Sequence, residues 1–157
     1  MSQGTAPQPD RDRDDAGRPR QDRPRDALGR PLPYGAAGVE PEPEVALPPQ
    51  AALERARTLL AEGLPFAAHE VLEARWKAAP AEERDLWQGL AQVCVGLTHE
   101  ARGNAGGAAT LLLRGADRLD RHAGTGGPTY GLDVAALVTW VRRRAAEGGR
   151  GPGEFPL

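Results

Sequence analysis

The apolar residues of this chain are concentrated between about Leu53 and Val141, where they recur every three or four positions in segments separated by proline and glycine. That spacing gathers them along one stripe of a helix, whereas a half-buried strand needs strict alternation. No segment sustains alternation, so the expected class is all-α. With 157 residues there is room for one hydrophobic core and no second full domain.

Five helical segments are expected from the punctuation. The first runs from about Pro49 to Glu62 and stops at Gly63; the second opens on Pro65, whose missing N–H costs nothing in a first turn, and continues to about Ala78. The third starts at Pro80, carries Glu82 and Glu83 in its first turn and runs to Arg102. Leu86, Leu90, Val93 and Leu97 form one stripe on it and Trp87, Ala91, Cys94 and Thr98 a neighbouring one, so it should be the central helix. Asn104 is a good N-cap for a fourth helix from Ala105 to about Asp120. A glycine-rich loop, 124–131, then leads to Asp133 as N-cap of the fifth, with Leu132 and Leu137 spaced for a hydrophobic staple and Gly148 as the stop.

Outside this core, residues 1–47 mix Asp, Arg, Pro and Gly with few apolar groups, as in the run Asp10 to Asp15, and are expected to form a disordered charged tail. Residues 148–157 are expected to be a second, flexible tail, leaving 48–147 as the helical domain. The formal net charge of −2 offers no general attraction for nucleic-acid phosphates, so a nucleic-acid partner is disfavoured; Arg142, Arg143 and Arg144 read as a solvated last helical turn. There is no run of about 18 apolar residues and no signal-peptide core, and Cys94 is the only cysteine, so no membrane association and a cytoplasmic location are expected. Cys94 lies in the most apolar segment and reads as an inert core thiol, and His122 has no evident partner.

The second segment places Phe66, His69, Glu73 and Trp76 on one helical face, a histidine and a carboxylate between two aromatic rings. On the third, Gln88, Gln92 and His99 share a line on an otherwise apolar helix, and buried amides and imidazoles need partners. If the two lines face each other they enclose a polar pocket walled by Trp76 and Trp87. Such a cluster could bind a divalent metal through His69, Glu73 and His99, hold a small ligand without metal, or be purely structural, with Glu73 accepting a hydrogen bond from His69. The motif His69-Glu70-x-x-Glu73 lacks the second helical histidine of zinc peptidases, and the spacing is not that of di-iron bundles.

Three blocks carry a resemblance: Ala68-His69-Glu70-Val71-Leu72-Glu73-Ala74-Arg75-Trp76; Leu86-Trp87-Gln88-Gly89-Leu90-Ala91-Gln92; and His99 followed by Arg102-Gly103-Asn104-x-x-Gly107-Ala108. Their order and spacing resemble the bacterial and archaeal domain-of-unknown-function family 309, over about Leu53 to Leu119. The resemblance implies a small all-helical domain, with His69, Glu70, Glu73, Trp76, Gln88, Gly89, His99, Gly103 and Asn104 at the family's patterned positions. Some members carry the label of metal-dependent hydrolase. In that version His69, His99 and Glu73 would hold the metal and Glu70 or a bound water would handle protons. The competing expectation is a non-enzymatic module in which His69, Glu73, Trp76, Trp87, Gln88, Gln92, His99 and Asn104 line a pocket for a small molecule or a protein partner.

Overall fold

The computed structural model describes residues 24–149 and 153–157. Five helices follow in order, α1 (Pro49–Ala61), α2 (Pro65–Ala78), α3 (Arg84–Ala101), α4 (Ala105–Thr125) and α5 (Val134–Glu147), with a single 3-10 turn, Ala81–Glu83, ahead of α3. Among the described residues there are no strands, only isolated bridges from Arg25 to Pro31 and Val39. The all-α class read from the periodicity is the observed one. The acidic and basic run Asp10 to Asp15 lies outside the described residues, as do residues 150–152 of the C-terminal stretch.

The helix starts follow from the residues that occupy them. Pro49 and Pro65 stand in the first turns of α1 and α2. Asn104 accepts from the Gly107 N–H at 3.1 Å, and Asp133 from the Ala136 N–H at 3.0 Å, so each satisfies a donor that the helix leaves unpaired. Two boundaries differ from expectation. After Pro80 the chain first makes the 3-10 turn, with the Glu83 N–H on the Pro80 carbonyl at 3.0 Å, and α3 starts at Arg84. Helix α4 continues through Gly124 to Thr125, because His122 is buried to 1% exposure and anchors the following loop through Nε2 on the Pro128 carbonyl at 2.7 Å. His122 therefore has the partner that the sequence did not disclose.

Successive helices pack on one another, and α3 lies between α2 and α4. Leu86, Trp87, Leu90, Val93 and Cys94 of α3 are fully buried, which makes it the central helix. Burial pushes the Cys94 thiol up to about 12, in line with an inert core residue. Against α4 the backbones touch: a Cβ on Gly115 would stand 2.9 Å from the Gly89 carbonyl oxygen and 2.8 Å from Val93 Cγ2. Only glycine permits this approach.

The charged last turn of α5 is not uniformly solvated. Arg142 and Arg143 make surface pairs with Asp117, Asp120 and Glu147, but Arg144 is engaged by both carboxylate oxygens of Glu100 and lies 5.6 Å above the Trp140 ring. Phe155 packs on Trp140, with ring centroids 5.0 Å apart. Among the described residues no helix is long and apolar enough to cross a membrane.

Candidate functional site

On α2 the expected stripe is present. His69 Nε2 lies 3.4 Å from Glu73 Oε2, whose other oxygen is 3.4 Å from Lys77 Nζ, and the Phe66 and His69 ring centroids are 5.5 Å apart. Burial lowers the His69 pKa, opposed by the Glu73 charge, so the imidazole is held toward its neutral form. Its Nδ1 is buried without a hydrogen-bond partner. Trp76 packs, partly buried, against the core.

The polar line of α3 is divided among different partners. Gln88 is half-buried, and Gln92 keeps Oε1 buried and unpaired. His99 is turned to the next helix start, with Nδ1 3.1 Å from Asn104 Nδ2, so Asn104 both caps α4 and holds the imidazole. Trp87 is wholly buried, donating from Nε1 to Glu83 Oε1 at 3.4 Å.

A metal would require three converging donors. Among the described residues no group of three or more His, Cys, Asp or Glu side chains is placed to hold one. His69 and Glu73 form a pair, but His99 is not brought into a ligand set with them. Among the described residues the donor set expected from the hydrolase resemblance does not fit a metal centre.

Glu70 sits on another side of α2. It lines a cleft of about 560 Å³ whose far wall is formed by Pro24 to Ala27 and Val39 to Glu44, and whose near wall is Leu64, Phe66 and Ala67. Burial raises its pKa to about 6, with the Arg25 charge opposing and Glu42, Glu73 and Glu44 adding to the rise.

The far wall belongs to a strap, residues 24–47, held by α1, α2 and the residue that follows α3. Arg55 of α1 clamps Glu42 through Nη2 at 2.6 Å and Nε at 3.2 Å. From α2, Phe66 lies 5.3 Å below the Arg25 guanidinium and Arg75 Nη1 donates to the Leu47 carbonyl at 3.2 Å. Arg102, just past α3, donates from Nε to the Leu28 carbonyl at 2.8 Å.

Residues 53–111 match the family model DUF309, described as a domain of unknown function. Over those residues the chain is similar to that family. No curated protein and no solved structure matches it. The DUF309 match contains Arg55, Phe66, Arg75 and Arg102, which grip the strap, while the strap itself lies outside it.

The strap is what the sequence reading missed. Its one local signal is Asp26 followed by Gly29, a turn pair inside a stretch whose composition reads as unstructured. A second omission is Glu83, only 8% exposed, which accepts from both Trp87 Nε1 and the Tyr130 hydroxyl and so ties the loop before α5 to the start of α3. The Tyr130 contact spans 47 positions and leaves no periodic trace.

Proposed function

We propose that the domain is a non-enzymatic interaction module whose docking face is the outer side of α2 with the adjoining edges of α1 and α3. The supporting observation is that a segment without helix or strand, residues 24–47, lies along this face, held by side chains of α1 and α2 and by Arg102 just past α3. Two of the four grips are guanidinium groups on backbone carbonyls, which any extended polypeptide presents. The DUF309 region thus supplies the receptor, and the chain's own strap occupies it in cis.

The metal-dependent hydrolase reading keeps only the His69–Glu73 pair as its donor set. Stoichiometric divalent metal on tag-free protein, raising the melting temperature and lost in His69→Ala, would restore it.

The docking function is tested with the full chain carrying Gly29→Val and Glu42→Arg, two strap changes that leave the receptor side chains untouched, and a fluorescent peptide of residues 24–47. The peptide is expected to bind the double variant saturably. Binding to the unaltered chain should be at least about tenfold weaker, because a tethered segment competes at an effective concentration near millimolar. Circular dichroism and melting of the two proteins should agree. Absence of saturable binding to the double variant overturns the reading.

A further inference from the structure

We infer that the partner of this face presents a turn in which an arginine is followed directly by an aspartate and, four positions after the arginine, by a glycine, read by Phe66, Glu70 and Arg102 and supplied here in cis by Arg25, Asp26 and Gly29. The inference rests on the docking function proposed above and names the class of partner, a protein segment of this turn chemistry.

The turn closes on itself. Asp26 Oδ1 accepts from the N–H groups of Leu28 at 3.0 Å and Arg30 at 2.9 Å, and Asp26 Oδ2 lies 3.0 Å from Arg30 Nε. The Asp26 N–H donates to the Arg30 carbonyl at 3.0 Å, the Gly29 N–H to the Asp26 carbonyl at 2.9 Å, and Arg25 Nη1 to the Gly29 carbonyl at 2.6 Å. The donated backbone hydrogen bonds hold the Asp26 carboxyl below its ordinary range. All of these bonds span at most four residues, so the conformation is specified locally and does not depend on a covalent path to α1. A segment with its bound shape built in is suited to docking from another chain, since less ordering is left to be done on binding.

The turn also fits the face that receives it. Gly29 is buried at φ +74°, and a Cβ there would overlap the Phe66 ring, so the backbone lies flush on the aromatic face. Arg25 covers the same ring, with its guanidinium 5.3 Å from the centroid, and shares the cleft with Glu70. Arg102 fixes the turn from the α3 side through the Leu28 carbonyl. The aromatic ring and the Arg102 guanidinium therefore contact two parts of one turn, and the Glu70 carboxyl lines the cleft that Arg25 shares. All three readers lie within residues 53–111, whereas the turn lies outside, so the receptor belongs to the domain and the turn is separable from it.

Two peptides, residues 24–33 and 24–47, are titrated by fluorescence anisotropy against the full chain carrying Gly29→Val and Glu42→Arg. Both are expected to bind, and Arg25→Ala, Asp26→Ala or Gly29→Ala in the peptide should each weaken binding at least tenfold. Phe66→Leu or Arg102→Ala in the receptor should do the same, with unchanged circular dichroism. If the longer peptide binds but Arg25→Ala and Gly29→Ala versions bind as tightly, the turn is not what is read; the inference falls and the docking function stands. Should neither peptide bind, both fall together.

Discussion

Between α3 and α4 the two backbones meet at Gly89 and Gly115, with Val93, Leu112 and Leu119 closing the contact and Asp85, at the start of α3, pairing with Arg118 and Arg121 of α4. The outer face of α2 is instead covered by a segment without helix or strand, through guanidinium groups on carbonyls, one ion pair and one aromatic ring. The first contact has no slack, since any added atom meets backbone. The second is an assembly of long side chains, each hydrogen bond worth about 0.5 to 1.5 kcal/mol net and each exposed pair less. The close-packed interface supplies global stability; the strap belongs to the low-stability end of the molecule, where opening is local and a partner can intervene.

The sharpest way to break this contrast is Gly115→Val. Its Cβ alone would press on the Gly89 carbonyl, so a loss of about 3 kcal/mol is expected in urea unfolding. A loss under about 1 kcal/mol would mean that the helices can move apart cheaply, and the two regions would no longer differ in kind. Glu83→Ala comes next. It leaves the Trp87 indole N–H and the Tyr130 hydroxyl without their acceptor, for about 2 kcal/mol, and tests whether a buried polar tie at the end of α3 is as unforgiving as the glycine contact.

On the strap, Gly29→Val should leave the urea midpoint within about 0.5 kcal/mol of the parent while freeing the segment locally. The readout is amide exchange at Leu32 and Val39, whose N–H groups donate to Pro24 and Arg25 carbonyls. Both should exchange at least about tenfold faster, with the amides of α3 unchanged. Global destabilisation on the scale of Gly115→Val would show that the strap is part of the core.

The same contrast explains what the sequence disclosed. Helices α1 to α5 were legible because proline and glycine mark their ends and the core stripe repeats along each one; the exceptions are the 3-10 turn after Pro80, closed by the Glu83 N–H on the Pro80 carbonyl, and the extension of α4 to Thr125, where His122 bonds the loop that follows. His69 and Glu73 were legible as a pair because both stand on one helix. The proposed convergence with His99 was not decidable from periodicity, which fixes the face of a residue on its own helix and not its neighbour on another; His99 meets Asn104, five positions along the chain. Strap contacts escaped altogether, because composition reports the lack of apolar residues while the grips come from arginines that could equally face water.

The smallest expected effect ties the strap to Glu70. Its pKa stands near 6 against an ordinary 4.5, chiefly through burial, so the folded protein holds this proton more tightly than the unfolded chain. Stability from that group is complete below about pH 4.5 and declines as pH rises through 6, by about 2 kcal/mol if the shift were fully expressed and nearer ~1 kcal/mol in a cleft open to solvent. His69 contributes the opposite slope, because its depressed pKa makes the unfolded chain the stronger proton binder below pH 6.5. The informative quantity is therefore the difference between Glu70→Gln and the parent at each pH, in which the His69 contribution cancels. Urea midpoints at pH 4.5 and 7 should show Glu70→Gln gaining about 1 kcal/mol on the parent across that interval. Since the strap forms the far wall of the cleft, Gly29→Val should flatten the Glu70 contribution as well. A Glu70→Gln difference that persists undiminished on the Gly29→Val background would place the source of the burial in the helices themselves, and the boundary between the rigid bundle and its removable cover would have to be redrawn on the other side of Glu70.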